Sequence, residues 1–306
     1  MSVNESIQQA GIPELWEPSL LRSLQTPLVY ESLTTKQYEG NFSNKGDTVR
    51  IITTADPEIS DYDRNGTVTG DVLSLAGQTM VINYQKQFKF RVNDLDIKQV
   101  LPAFVEEQMA RGAYKLKERR DKDISAVMAA GVAEDNRLGQ YAIGTGPGQA
   151  DIYELLLEMN RYLDDNDTPA DEGQPRMDPD GGPMGGFRFA AVPPIVRQML
   201  LADPRKSSFN TSEAFRAYGD RYIGRNAAGL ELFITNLAPS TTVDNVAYRT
   251  VIAGWSEATA FAAQFQRYER QRIVGALADL HLGVDVYGVK VLRPDNLVSA
   301  NIRLAS

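Results

Sequence analysis

Cysteine is absent from the 306-residue sequence, and histidine occurs once, as His281. The missing thiols exclude disulfides, thiolate nucleophiles and cysteine-based zinc sites. One imidazole cannot build a histidine-rich metal site, and no Gly-x-Ser-x-Gly turn accompanies it to form a serine triad. We therefore expect no catalytic residue, metal ion or cofactor, and interpret His281 as a packing or surface residue.

Long apolar runs and a basic surface are also missing. No run approaches the roughly 20 apolar residues of a membrane helix, and the first residues lack the features of a secretory signal. The net charge of −8 and the pI near 4.9 argue against sequence-specific nucleic-acid binding, which depends on a basic face. We expect a protein that is made and used in a cytosol, without a membrane partner.

Two segments before residue 100 carry more apolar residues than an exposed arm should. Residues 1–45 contain three prolines, with Trp16 among the apolar residues between them. A two-stranded arm follows, running out over 46–51 and back over 79–92. On the returning strand Met80, Ile82 and Tyr84 share one face with Phe88, Phe90 and Val92, as the period-two pattern of a half-buried strand predicts.

An isolated hairpin is marginally stable in water, so a one-sided apolar strand needs a covering surface. We expect neighbouring copies of the chain to supply it. The residues predicted at this subunit interface are Trp16, Met80, Ile82 and Tyr84, whereas Phe88 and Phe90 are expected in the core. A strap packed on its own domain is the alternative for residues 1–45.

The rest of the sequence predicts mixed helices and strands. A charged helix should begin near Leu101 and end at about Ala130, with Gly131 after it and Gly112 marking close packing. A second helix is predicted over 151–163, capped by Asp151. Strands are predicted over 187–192, 230–234 and 284–291, a helix from Pro194 to about residue 201, and a late helix over 256–265.

Two loops invite other functions. Residues 144–148 are Gly-rich and precede a helix, but the Gly-Lys-Ser/Thr ending of a P-loop is missing. Residues 164–186 are rich in Asp, Gly and Pro, yet every calcium-loop register places unsuitable residues at ligand positions. Neither loop supports its site strongly. A nucleotide-dependent α+β enzyme that uses the Gly-rich segment is kept as the alternative from another functional class.

Several stretches of the sequence, taken in order, resemble the tailed-phage major capsid proteins of the HK97 fold. They are Ile12-Pro13-Glu14-Leu15-Trp16 with Gly46-Asp47-Thr48-Val49, Phe88-Lys89-Phe90-Arg91-Val92, Arg188-Phe189-Ala190-Ala191-Val192-Pro193-Pro194, and Tyr287-Gly288-Val289-Lys290-Val291. The resemblance implies an α+β fold with an N-arm at 1–45, an extended E-loop hairpin at 46–93 and a P-domain spine-helix region at 94–145. It implies an A-domain at 146–260, and P-domain return strands with a closing A-domain strand at 261–306.

The same resemblance implies a structural protein rather than an enzyme. Its members assemble with themselves into pentamers and hexamers of an icosahedral shell around double-stranded DNA, without sequence-specific binding. We expect a separate scaffolding protein, a portal, a place in the virion capsid and assembly in the bacterial cytoplasm. An encapsulin-like compartment that encloses protein cargo is the nearest alternative.

Overall fold

The computed structural model describes residues 28–38, 48–54, 75–94, 102–144, 148–164, 187–202, 222–225 and 229–304. The helices in these ranges are α1 (Pro102–Ala130), α2 (Ile152–Asp164) and α3 (Pro194–Ala202). The strands are β1 (Thr48–Thr54), β2 (Leu75–Val81), β3 (Tyr84–Asn93), β4 (Arg137–Ile143), β5 (Arg188–Val192), β6 (Tyr222–Arg225), β7 (Glu231–Ile234), β8 (Ser240–Val243), β9 (Val246–Trp255), β10 (Thr259–Arg272), β11 (Ala278–Val291) and β12 (Leu297–Leu304). Short 3-10 turns lie at Tyr30–Leu33, Glu134–Asn136 and Pro294–Asn296.

The larger sheet has the strand order β4-β12-β9-β5-β7-β6, with β8 paired to β9. Most neighbours are antiparallel, but β12 pairs with β4 and β5 pairs with β7 in parallel. The apolar faces of α2 and α3 pack in one cluster with this sheet, which includes Leu156, Met159, Ala190, Val196 and Leu232. Every residue of β5 is buried, as expected for a central strand covered on both faces.

The smaller sheet has three antiparallel strands in the order β10-β11-β3. Helix α1 contacts β3 and β11, and a second apolar cluster fills the space near its C-terminal half. That cluster contains Tyr30, Ile124, Met128, Phe261 and Tyr287. It also includes Phe189 and Ile252 of the larger sheet, so the two sheets share a continuous core.

The β1–β2 hairpin is attached to this smaller sheet at its base. Ile51, Met80 and Ile82 form a third apolar cluster with Ala260 and Ala262 of β10. Two side chains add hydrogen bonds to the main chain: Gln78 Nε2 donates to the carbonyl of Leu292 at 3.0 Å, and Lys290 Nζ to that of Thr79 at 2.9 Å. The base of the hairpin is thus fixed within the subunit.

Both main helix predictions are confirmed. Helix α1 covers the predicted range, and the Gly131 amide donates to the Val127 carbonyl at 2.9 Å, which closes the last turn. The Asp151 carboxylate accepts a hydrogen bond from the Tyr153 amide at 2.8 Å and so caps α2. Salt bridges between residues four apart also form on α1, with 2.6 Å between Arg111 and Glu107 and 2.8 Å between Lys122 and Glu118.

Two predictions about strands and helices are wrong. The returning strand of the arm is not continuous over 79–92. It divides at Ile82 and Asn83 into β2, which pairs with β1, and β3, which pairs with β11. The late helix predicted over 256–265 is the start of strand β10. Its Ala-rich sequence has a helical propensity, but Ala260 and Ala262 pack toward the hairpin base while Phe261 packs in the second cluster, so packing on two faces overrides propensity.

The predicted division into domains remains a prediction. Strand β3 falls within the proposed E-loop, but it lies in a different sheet from β1 and β2. Residues 1–27 and residues 165–186 of the Asp-, Gly- and Pro-rich loop lie outside the described residues. The strap of residues 28–38 is described, and it packs on its own chain through the buried side chains of Val29, Tyr30 and Leu33.

Candidate assembly site

The four predicted interface residues are in different environments. Met80 is completely buried and Ile82 is 5% exposed, both within the chain's own third cluster. Their burial removes the argument that they need a neighbouring copy, because β10 already covers them. Tyr84 is half-buried and stacks on Tyr287 at a ring-centroid distance of 5.3 Å. Trp16 lies outside the described residues.

A buried carboxylate attaches the strap to helix α1. Asp121, which is 1% exposed, accepts hydrogen bonds from the backbone amides of Val29 at 3.1 Å and Glu31 at 3.0 Å. Glu31 belongs to the 3-10 turn and Val29 is the residue before it, so Asp121 caps the start of the turn. Burial raises the pKa of Asp121 to about 6, and the amide hydrogen bonds limit that rise.

Arg120, the residue before Asp121, joins the strap and helix to β11. Its guanidinium binds both carboxylate oxygens of Asp285 at 2.7 Å and reaches Glu31 of the strap at 3.1 Å. It also lies over the rings of Phe261 and Tyr287, at 5.3 and 5.6 Å from their centroids. Because Arg120 and Asp285 are both buried, losing either partner would leave an uncompensated charge.

A second carboxylate on α1 explains the lysine that interrupts the apolar face of β3. Lys86 Nζ lies 3.7 Å from Asp123 and over the ring of Tyr84. Asp123 also accepts a hydrogen bond from the Tyr287 hydroxyl at 2.8 Å. The cation therefore faces the helix among partners, and the alternation of β3 is maintained. We define the assembly junction as this set: Glu31, Lys86, Arg120, Asp121, Asp123, Asp285 and Tyr287.

Close packing of Phe88 positions helix and sheet beside the junction. A Cβ atom added to Gly112 of α1 would lie 2.7 Å from the Phe88 ring, and one added to Gly283 of β11 would meet the same ring. Phe88 thus fits between two positions that have no side chain. The prediction that Gly112 marks close packing is confirmed. Phe88 and Phe90, which were expected in the core, are only half-buried and lie outside the three apolar clusters.

His281 is a packing residue, as predicted. It is 5% exposed, stacks on Phe90 with a centroid distance of 4.9 Å, and its Nδ1 forms a hydrogen bond with the Tyr268 hydroxyl. Burial, reinforced by Arg270, lowers the pKa of His281. These contacts tie together β3, β10 and β11.

Sequence reasoning missed most of the junction. Asp121 and Asp123 were recognisable only as acids on a charged helix, because their partners lie far away in the sequence. The pairing of Arg120 with Asp285 spans 165 residues and leaves no local signal. Lys86 was the one detectable sign, since it is the only charged residue at an inward position between Tyr84 and Val92.

The junction resembles a mechanical connection rather than a reaction centre. Arg120 and Lys86 pair with carboxylates, Asp121 accepts backbone hydrogen bonds, and the set links the strap, the long helix and the smaller sheet. In the ranges that the structure describes, no helix is both long and apolar enough to cross a membrane. No protein-family model and no curated protein matches the sequence.

Solved structures match the chain along almost its whole length. A chain from Mycobacterium phage Che8 is 26% identical, with a TM-score of 0.65, covering 95% of this chain and 97% of that one. The capsid of cyanophage P-SCSP1u gives 14% identity and a TM-score of 0.68, over 97% and 94% of the two chains. The capsid of Ralstonia phage GP4 gives 10% identity and a TM-score of 0.69, over 95% and 96%.

The chain has the fold of tailed-phage major capsid proteins. The α+β, HK97-like architecture predicted from the sequence is therefore confirmed. These capsid neighbours are structural components rather than enzymes, and they support self-assembly of the chain into a shell and a place in the virion capsid. Neither the nucleotide-dependent enzyme nor the encapsulin-like compartment is favoured by these matches.

Proposed function

We propose that this capsid protein forms the pentamers and hexamers of an icosahedral shell that encloses the genome of a tailed phage. The observation that carries the proposal is the agreement of 95% of this chain, at 26% identity and a TM-score of 0.65, with a chain of Mycobacterium phage Che8. Because 95% of this chain and 97% of that one are covered, the likeness is not confined to one part of the subunit.

The junction supports the same proposal through its position. A shell subunit needs a rigid body from which extended segments can reach other copies. The strap and the hairpin base both join that body at α1, β10 and β11, where buried ion pairs and apolar clusters fix them. Many contacts of modest strength, repeated by symmetry, can then stabilise a closed assembly.

The finer parts of the proposal concern partners. The enclosed polymer is double-stranded DNA, held without sequence readout, and the net charge of −8 would let the polymer move along the inner wall by weak repulsion. A separate scaffolding protein and a portal complete the assembly, which takes place in the cytoplasm of the bacterial host. Trp16 and Tyr84 remain proposed contacts with neighbouring copies.

Expression of the chain alone and with its candidate scaffold, followed by electron microscopy, tests the proposal. We expect closed icosahedral particles built of pentamers and hexamers, and DNA-filled particles with one portal vertex in infected cells. A protein that stays monomeric or dimeric at high concentration in both preparations would overturn the shell function. Small closed shells that contain an enzyme would instead favour the cargo compartment.

A further inference from the structure

The chain crosses between its two sheets through three segments that are bonded to one another. In chain order, α1 beside the smaller sheet leads into β4 of the larger sheet, β9 returns to β10, and β11 leads into β12. The connecting segments are residues 131–136, 256–258 and 292–296, and the structure describes all of them. We define the crossing region as these three segments.

The segment 292–296 is hydrogen-bonded to the segment between β9 and β10. The amides of Leu292 and Arg293 both donate to the Ala258 carbonyl, at 2.8 and 3.2 Å. The Arg293 guanidinium also lies over the ring of Trp255, 5.2 Å from its centroid. Trp255 is the last residue of β9 and is buried, so this contact holds Arg293 against the end of the larger sheet.

Asn136 joins the same segment to the connection between α1 and β4. It is 6% exposed, and its Nδ2 donates to the carbonyls of Asp295 at 2.7 Å and Leu297 at 3.2 Å. Beside it the Ala133 amide donates to the Pro294 carbonyl at 3.2 Å. One buried side chain therefore binds two main-chain carbonyls that lie 159 and 161 residues later in the chain.

The crossing region is also closely packed. A Cβ atom added to Gly254 of β9 would lie 2.6 Å from the backbone oxygen of Asn296, and one added to Gly131 would lie 2.5 Å from the side chain of Val291. Val291 is the last residue of β11, directly before the segment 292–296. A backbone oxygen cannot rotate away as a flexible side chain can, so a methyl group at Gly254 would force that segment to shift.

Hydrogen bonds and apolar packing constrain the two sheets differently. The second apolar cluster joins Phe189 and Ile252 of the larger sheet to Phe261 and Tyr287 of the smaller one. Such packing depends mainly on buried area and tolerates a small sliding of one sheet over the other. Hydrogen bonds to main-chain carbonyls fix distance and direction, and a buried carbonyl that loses its donor is costly to leave unpaired. The crossing region therefore limits the sliding that the apolar cluster allows.

We propose that Asn136 is a positioning residue that fixes the angle between the two sheets, and that this angle determines the curvature and diameter of the assembled shell. In a closed symmetric assembly every subunit makes the same contacts, so a change of angle within one subunit is repeated in each copy. The inference rests on the proposed shell function and adds one residue on which the geometry of the subunit depends.

Distances between two spin labels test the angle directly. The chain has no cysteine, so cysteines introduced at Thr242 of β8 and Gln271 of β10, which are both exposed, carry the only labels. Labelled chain is diluted into unlabelled chain, so that only distances within one subunit are measured. We expect Asn136→Ala to broaden or shift the distribution of distances between the labels.

Asn301→Ala is the matched control. The Asn301 side chain accepts a hydrogen bond from the Thr250 hydroxyl at 2.8 Å, and this bond joins β12 to β9 within the larger sheet. Both substitutions remove hydrogen bonds of a side-chain amide and should lower the midpoint of urea unfolding. Only Asn136→Ala should change the label distances, because only Asn136 joins two connections between the sheets.

Electron microscopy of assembled shells gives the second measurement. We expect a single shell diameter for the unmodified chain and for Asn301→Ala, and a mixture of diameters or unclosed particles for Asn136→Ala. Gly254→Ala changes the same region independently and should also alter the diameters. Gly139→Ala, where nothing lies within 4 Å of the added methyl group, should leave them unchanged.

The outcomes that overturn the inference are distinct from those that overturn the shell function. Unchanged label distances in the folded Asn136→Ala variant, or shells of one unaltered diameter, would refute the role of Asn136 and leave the shell function intact. The same change in Asn301→Ala would also refute it, because the effect would then follow from lost stability. An unmodified chain that forms no shells would refute the shell function, whereas the label distances would still test the angle.

Discussion

The two sheets of this subunit are stabilised in different ways. The larger sheet packs against α2 and α3 through aliphatic side chains such as Leu156, Met159 and Leu232. On the smaller sheet and α1, ion pairs and hydrogen-bonded carboxylates are buried with the apolar residues. Apart from Arg188, every buried Asp and Arg in the described ranges belongs to α1 or β11.

The two kinds of contact determine different properties of the subunit: apolar packing determines mainly its stability, whereas directional polar contacts determine its geometry. Apolar packing is tolerant of direction, because it depends mainly on the area removed from water. A bidentate arginine or a capped turn fixes distances and angles. The larger sheet therefore supplies a stable body, whereas the junction fixes how the strap lies against α1 and the smaller sheet. Four substitutions test the distinction.

The largest effect is expected at the junction. Asp285→Ala leaves the buried guanidinium of Arg120 without its bidentate partner and should lower the free energy of unfolding by about 3–5 kcal/mol. The control is Glu118→Ala, which removes a partly exposed acid from α1, the helix that carries Arg120. It should lower the free energy of unfolding by less than about 1 kcal/mol. Urea unfolding measures both. The double variant Arg120→Met/Asp285→Ala should recover part of the loss, and no recovery would contradict the charge-burial explanation.

A core substitution in the larger sheet is the contrasting case. Leu156 of α2 is completely buried, so Leu156→Ala should lower the free energy of unfolding by about 2–5 kcal/mol through the lost apolar contacts and the remaining cavity. Leu157→Ala, at an exposed neighbouring position, is the control and should change little. The distinction predicts that Leu156→Ala reduces stability without altering the shape of assembled shells. Shells of changed size would contradict the proposed difference between the roles of the two sheets.

Helix α1 and the smaller sheet should be sensitive to added volume. Gly283→Ala forces a methyl group against the Phe88 ring and should cost about 1–3 kcal/mol in thermal or urea unfolding. Gly139→Ala adds the same methyl where nothing lies within 4 Å, so it serves as the control. Combining Gly283→Ala with Phe88→Leu should restore part of the loss. Independent, additive effects of the two changes would show that they do not share the predicted contact.

The smallest effect concerns pH. The folded chain holds the Asp121 proton more tightly than the unfolded chain does, since the pKa rises from 3.8 to about 6. The contribution of Asp121 to stability is therefore greatest below pH 4 and is lost as the pH rises through about 6. Between pH 5 and 7 this loss should be on the order of 1 kcal/mol.

The Asp121→Asn variant isolates that contribution. The difference between wild-type and variant free energies of unfolding should decline from pH 5 to pH 7, whatever the other groups do. His281 acts with the opposite sign, because its lowered pKa makes its contribution disappear as the pH falls below 6.5. A wild-type minus variant difference that is constant across this range would contradict the raised pKa of Asp121.

The sequence predicted the parts of the fold that depend on local signals. Helix α1 follows from apolar spacing and the glycine after it, and Asp151 caps α2 as its position suggested. The alternation of β3 from Tyr84 to Val92 was also readable. Each of these features depends on residues close together in the chain.

Features that depend on distant residues were not predictable in the same way. Nothing in the sequence around Met80 indicates that Ala260 and Ala262 cover it, and the helical propensity of that Ala-rich stretch pointed to the wrong element. The candidate junction likewise requires Asp285 to meet Arg120 across 165 residues.

The fixed base of the β1–β2 hairpin affects how force passes through a shell. Ile51, Met80 and Ile82 are held under β10, and Gly288 lies so close to Val81 that a side chain there would meet its carbonyl oxygen. A pull on the far end of the hairpin cannot be absorbed by rotation at this base. Force applied to the hairpin is therefore transmitted through its fixed base to β10 and β11, and from there to the body of the subunit.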